Sequence, residues 1–214
     1  RVTVEMPLDF HARRRWEDIA TELKAHGSVL AVVNTRRDCR ELHRLMPGGT
    51  IHLSAAMCGE HRSRVITGIR ERLKKKVLIR VVSTQLVEAG VDIDFPVVYR
   101  ALSGLDSIAQ ASGRCNREGE EKRGKVVVFV PPKSSPPGTL RRAEQTTISL
   151  LSGSKSDPMA RELFTRYFEH FYVKADSLDK HGINDLLTRD ARELKIQFRT
   201  AAEKFQLIDD VESQ

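Results

Sequence analysis

The sequence predicts an α/β fold: a parallel sheet flanked by helices on both faces, with a helical C-terminal extension. Three observations predict it. Short apolar runs recur along the first 130 residues, helical patterns separate them, and a proline-rich stretch ends the alternation. Such alternation calls for crossover connections, hence parallel strands covered on both faces. The 214 residues suffice for one such domain plus an appendage without disulfide or metal staples.

Taken in order, Arg1 to Glu5 alternates like an edge strand, and Trp16 to Leu23 has helical spacing. Val29 to Val33 is continuously apolar, the mark of a strand buried on both faces. Asp38 to Leu45 reads as a helix, Thr50 to Leu53 as a short strand and Glu60 to Lys76 as a basic helix. Val77 to Val82, Val97 to Ala101 and Val126 to Val130 complete the strands. The stretch from Pro131 to Gly138 holds four of the eight prolines and can be neither helix nor central strand. Residues 131–139 are therefore expected to be a linker or exposed loop between a domain at 1–130 and a helical extension at 140–214. In that extension Met159, Leu163, Phe164, Tyr167, Phe168 and Phe171 fall at helical spacing, as do Leu194, Phe198, Ala201, Ala202 and Phe205. Such periodicity is what packing against a core requires, so these aromatics are expected to be helix faces rather than a base-stacking platform.

The formal net charge of +7 is unevenly distributed. Residues 1–130 carry 23 Lys and Arg against 16 Asp and Glu, and the remainder carries 13 of each. The surplus fits a polyanionic partner for the first segment, and equally a basic soluble surface. Cys39, Cys58 and Cys115 form no Cys-x-x-Cys and have no histidine at metal-ligand spacing, which suits a reducing cytoplasm. No apolar run reaches membrane-span length. The chain opens on Arg1 rather than Met and is expected to be a piece of a longer protein.

Several chemistries lack their residues. There is no Gly-x-Gly for a dinucleotide site, no Gly-x-Ser-x-Gly elbow and no His-Glu-x-x-His. Gly119 to Lys125 has P-loop spacing, but Val126 stands where Ser or Thr would bind magnesium, and Glu120 and Glu121 would repel phosphate. It is read as a polar turn. The seven histidines are scattered, and none is assigned a role.

Two segments carry stronger signals. Ser83 to Asp94 leaves the carboxyl end of a strand, where open α/β sheets bind ligands. In it Gly90 permits a positive φ or a close approach, and Asp92 and Asp94 alternate with Val91 and Ile93, so both carboxylates point to one side. Gln110 to Gly119 places Arg114 and Arg117 three residues apart, on one helical face or in one turn. Arginine forks grip phosphate through paired hydrogen bonds and can stabilise the charge of phosphoryl transfer.

Together with Val32-Val33-Asn34-Thr35, these segments resemble motifs IV, V and VI of superfamily 2 helicases in order, spacing and strand placement. The phrases Ser83-Thr84-Gln85-Leu86-Val87-Glu88-Ala89-Gly90-Val91-Asp92-Ile93-Asp94 and Gly113-Arg114-Cys115-Asn116-Arg117-Glu118-Gly119 resemble specifically the CRISPR-associated helicase-nucleases of type I interference systems. The departure is Ala111, where many superfamily 2 members carry arginine. The resemblance covers residues 1–130 and implies a second RecA-like motor domain. It implies that Arg114 and Arg117 are arginine fingers, that Gln110, Gly90 and Asp92 face the nucleotide, and that Thr35 and Thr84 meet the DNA backbone. The implied cofactors are ATP and Mg2+, shared with a first RecA-like domain. The implied activity is 3′ to 5′ translocation on single-stranded DNA in CRISPR interference. Its partners would be the first RecA-like and nuclease domains and an RNA-guided surveillance complex, in a prokaryotic cytoplasm and away from membranes. A Walker A motif, Asp-Glu-x-His and a His-Asp metal nuclease signature are absent from the chain, so it is expected to be inactive alone. The alternatives are another superfamily 2 DNA or RNA helicase, or a nucleic-acid-binding or regulatory module without motor activity.

Overall fold

β-Branched and aliphatic residues dominate 29–32, 80–83, 97–101 and 124–129, and in the computed structural model these become the interior of a six-stranded parallel sheet. The structure describes residues 2–88, 90–119, 123–154, 157–173, 179 and 181–205. The strands are β1 (Val2–Glu5), β2 (Val29–Val32), β3 (Ile51–Leu53), β4 (Arg80–Ser83), β5 (Val97–Ala101) and β6 (Gly124–Phe129). The helices are α1 (Trp16–Ala25), α2 (Arg36–Arg44), α3 (Gly59–Lys74), α4 (Leu105–Ser112), α5 (Thr139–Leu151), α6 (Arg161–Val173), α7 (Ile183–Thr188) and α8 (Phe198–Lys204). Short 3-10 turns occupy Gln85–Val87 and Ala191–Glu193. The strand order is β1-β6-β5-β2-β4-β3, with β1 at one edge as its alternation predicts.

Central β2 explains the two-sided core. Leu30 and Val32 pack with Ile69 of α3, Ala111 of α4, Val81 and Val98. Val29, Ala31 and Val33 pack the opposite way with Ile19 and Leu23 of α1 and Cys39 and Leu42 of α2. Period-two alternation thus feeds both faces, so the run had to be apolar throughout. From β2 the chain moves outward to β3, and from β5 it moves the other way to β6. The carboxyl ends of β2 and β5 therefore flank the topological switch point, the usual crevice of an open sheet.

Three sequence expectations change. Val77 and Leu78 lie outside the strand and are exposed, because α3 ends in a reversal with Lys76 at φ 55° and the Val77 N–H bonded to the Arg72 carbonyl. That pattern is a Schellman-type stop, here with lysine in the left-handed position. Leu194 adopts φ 59° and does not extend α8, where only Ala201 is buried while Phe198 and Phe205 stay exposed. The third concerns the boundary at 131–139. Compact packing groups Arg1–Phe171 as one unit and Tyr172–Gln214 as another. Within the first, Leu150 and Leu151 of α5 and Leu163 and Tyr167 of α6 share a core with Leu105, Ile108, Val128 and Val130. Tyr167 donates its hydroxyl to Asp106 at 2.8 Å. Within the second, α7 and α8 are joined by the Gln197 N–H bonded to the Leu186 carbonyl.

The proline-rich stretch is a loop inside the first unit. Ser135 in its middle is buried, its N–H bonds Glu144 of α5 at 2.8 Å, and its hydroxyl accepts from Asn34 at 3.1 Å. The loop lies over the carboxyl ends of β2 and β5 through these contacts. Prolines stiffen it, and Glu144 and Arg141 of α5 satisfy the buried backbone N–H and carbonyl of Ser135.

Candidate functional site

The residues singled out from sequence gather at opposite ends of the sheet. Thr35 and Thr84 follow the carboxyl ends of β2 and β4. Arg114 and Arg117 follow α4, which runs back from β5, and so lie at the amino ends beside Phe95, whose backbone pairs with Cys115. Residues 83–94 connect the two ends, starting beside Thr84 and finishing beside Arg117.

At the carboxyl ends, Thr35 caps α2. Its hydroxyl accepts the Asp38 N–H at 3.0 Å and donates to Asp38 Oδ2 at 2.7 Å. Thr35-x-x-Asp38 has the spacing of a capping box, a signal that the sequence carries and that places the helix start three residues before Asp38, although the carboxylate here accepts the Thr35 hydroxyl. Burial pushes the Asp38 carboxyl up from its ordinary value, opposed by the Thr35 hydrogen bond. The Thr35 hydroxyl proton is thus engaged within the chain. The first-turn N–H groups of α2 are the remaining donors facing that end. Thr84 is buried, with its N–H on the Leu53 carbonyl at 3.2 Å and its carbonyl accepting the Ser83 hydroxyl at 2.9 Å.

At the amino ends, Gly90 has φ 69° and open space where a side chain would begin, so conformation rather than close approach calls for glycine. Val91 and Ile93 are buried, and Asp92 and Asp94 both turn to the 117–118 turn, as the alternation predicts. Asp92 pairs with the Arg117 guanidinium at 2.5 Å, and Asp94 accepts the Arg117 and Glu118 N–H groups at 2.9 Å each. Arg70 of α3 donates to the Asp92 carbonyl at 2.7 Å. Arg114 donates from Nε to the Val87 carbonyl at 2.9 Å and from Nη2 to the Glu88 carbonyl at 2.8 Å. Burial first, and Arg117 second, lower its proton affinity from the ordinary guanidinium value, which still leaves it charged at neutral pH. Both arginines lie in the turn after α4, where Asn116 takes φ 47°, rather than on a helical face. Gln110 is exposed in the last turn of α4, one turn before Arg114. A cavity of about 360 Å3 opens beside this turn, with Arg70, Lys74, Asp92, Asp94 and Phe95 in its wall. Ala89 and residues 120–122 of the polar turn lie outside the described residues.

Two guanidiniums beside a glycine turn fit an anionic phosphate chain approaching from outside this unit. The carboxylates do not fit a magnesium site of their own. Asp92 and Asp94 are engaged by the arginine turn, and among the described residues no group of three or more His, Cys, Asp or Glu could hold a metal.

Sequence reasoning passed over the residues that tie the two ends together. Arg100 in β5 is fully buried, with Nη1 bonded to Asn34 Oδ1 at 2.6 Å and Nη2 to the Ser107 hydroxyl at 3.1 Å. Its Nε lies 2.9 Å from Glu88 Oε1, an ion-pair contact whose alignment falls short of a hydrogen bond. Ser107 in turn donates to Glu88 Oε2 at 2.6 Å, and Gln85 donates to the Asn34 carbonyl at 3.1 Å. The available signal was a lone arginine in the apolar run Val97 to Ala101, since a charge in a buried strand requires a partner.

Residues 25–120 match the family model for the CRISPR-associated nuclease/helicase Cas3, C-terminal. Over those residues the chain is similar to a Cas3-like C-terminal domain. The matched span contains Thr35, Thr84, Gly90, Asp92, Gln110, Arg114 and Arg117. A CRISPR-associated nuclease/helicase Cas3 from Haloferax volcanii is 31% identical over 163 residues, 65% of this chain and 16% of that protein. One from Methanothermobacter thermautotrophicus is 33% identical over 108 residues, 48% of this chain and 13% of that protein. The chain thus spans a small part of its curated relatives. The crystal structure of T. fusca Cas3 with ATP superposes with a TM-score of 0.61 at 18% identity, covering 94% of this chain and 26% of that one. A chain in an RNA-guided CRISPR surveillance complex, pre-nicking, gives 0.55 at 16% identity over 95% and 28%. These likenesses establish a RecA-like α/β fold. Among the described residues no helix is long and apolar enough to cross a membrane.

Proposed function

We propose that this Cas3-like domain is the second motor domain of an ATP-dependent helicase that translocates 3′ to 5′ on single-stranded DNA in CRISPR interference. The observation that carries the reading is the arginine turn within the family match: Arg114 and Arg117 sit against residues 87–94 in one cluster. ATP would lie between this turn and a first RecA-like domain that supplies the phosphate loop and the Mg2+ ligands. In this chain Arg114, Arg117 and Gln110 would face the phosphates, and Gly90 would let residues 90–92 run close to the nucleotide. Arg117 would leave Asp92 to reach the transferring phosphate, an exchange of one anionic partner for another. At the opposite end of the sheet, the α2 N–H groups, Thr35 and Thr84 would hold the DNA backbone. The nuclease domain and the surveillance complex would deliver and cut that strand, removing foreign DNA in a prokaryotic cytoplasm.

The test is ATP hydrolysis by the purified chain, alone and mixed with a first RecA-like domain bearing Walker A and Asp-Glu-x-His motifs. Alone, with or without DNA, turnover stays at background. The mixture or a fusion restores it. Robust hydrolysis by the chain alone would sink the reading.

A further inference from the structure

We propose that Arg100 and Glu88 are positioning residues that lock residues 83–88, so that a strand engaged at Thr84 is felt at Arg114. The inference rests on the motor reading above and names two residues that it does not use. Residues 84 and 88 are four apart and joined by the 3-10 turn, which the Glu88 N–H closes on the Gln85 carbonyl at 2.9 Å. Its start is held by Gln85 on the Asn34 carbonyl, at the end where strands would bind. Its end supplies the Val87 and Glu88 carbonyls that hold Arg114. Between them the Glu88 side chain meets Arg100 and Ser107, and Arg100 returns to Asn34 Oδ1. The loop is closed: Asn34, Gln85, Glu88, Arg100, then Asn34 again.

A closed buried network of this kind transmits displacement because it cannot absorb it. Arg100 is fully buried and Glu88 is 7% exposed, so neither can trade its partner for water. A shift of Thr84 must move the whole turn or break a charged contact, and moving the turn moves both carbonyls under Arg114. Packing alone would supply bulk at position 100. The guanidinium is used because its planar fork reaches Asn34, Glu88 and Ser107 at once.

The experiment uses this chain and a single-stranded oligothymidylate, with the Arg114 Nε–H and the Thr84 amide followed by NMR. In the wild type both resonances move as the oligonucleotide is added. In Arg100→Met/Glu88→Leu, which removes both charges together, Thr84 still moves and Arg114 no longer does. Should that variant fail to fold, Arg100→Lys is read the same way, because it keeps the charge and loses the fork. If Arg114 moves in the folded variants as in the wild type, or stays still in the wild type while Thr84 moves, the inference is overturned and the motor reading stands. If the oligonucleotide does not bind at all, the strand-binding part of the motor reading falls and takes this inference with it.

Discussion

Removing Arg100 alone leaves Glu88 buried without its cation, and the consequence can be worked from the site. Arg100→Met fills much of the same volume but withdraws the guanidinium that lowers the Glu88 pKa; burial already holds that carboxyl above its ordinary value of 4.5. The isolated carboxylate takes a proton rather than stay charged in the core. Protonation at pH 7 from an ordinary value near 4.5 costs about 3.4 kcal/mol. Lost hydrogen bonds at Asn34 and Ser107 add about 1 kcal/mol each, so the total of about 5.4 kcal/mol sits just above the roughly 3–5 kcal/mol measured for broken buried pairs. The pH dependence carries a sign. Glu88 in the variant titrates higher folded than unfolded, so its stability contribution is full below the ordinary carboxylate range and is lost as pH rises. Lowering the pH from 7 to 5 should therefore recover about 2.7 kcal/mol of the deficit. Urea unfolding followed by fluorescence suits the measurement, because Trp16 is the only tryptophan and is buried against Phe129 in the first unit. The double variant Arg100→Met/Glu88→Leu should recover more than half of the loss at pH 7, with no such pH slope. A loss under about 1 kcal/mol, or one equal at pH 5 and pH 7, would show that Glu88 is not the buried partner of Arg100.

In a protein that joins this chain to a first RecA-like domain, Arg114→Ala or Arg117→Ala should lower kcat for ATP by roughly ten- to a thousandfold with little change in KM, since a finger acts on charge developed in the transition state. Steady-state kinetics decides it, and parental turnover in both variants would remove the finger assignment. Thr35→Ala should cost about 1 kcal/mol in urea unfolding, because it removes the hydroxyl that caps α2 and satisfies Asp38. An unchanged midpoint would mean that water replaces the cap. Single-stranded oligonucleotides of different sequence should bind alike, with log Kd against log salt changing by about 1 to 3 as a few phosphates are neutralised. Thr84→Val should weaken all of them together in fluorescence anisotropy, and strong preference for one sequence would favour a binding module.

What was legible in the sequence followed from local chemistry. Continuous apolar residues at 29–33 had to be a central strand, and alternation at 91–94 had to bury Val91 and Ile93 while turning two carboxylates outward. What was hidden depended on partners far along the chain. Ser135 looked like part of a proline-rich linker, yet its partners are Asn34 and Glu144, and no local pattern connects those three. Phe198 and Phe205 had the spacing of a buried face but lie exposed, since periodicity states which residues share a side and not whether anything covers it. Thr35 is the instructive case between these. Its resemblance to a helicase motif pointed outward to a phosphate, while the capping box, equally present in the sequence, pointed inward to Asp38. Both can hold if the phosphate is met mainly by the α2 N–H groups, with the threonine setting the helix start that aims them. On that view the motif threonine contributes geometry, and the charge-bearing contact belongs to the backbone it positions.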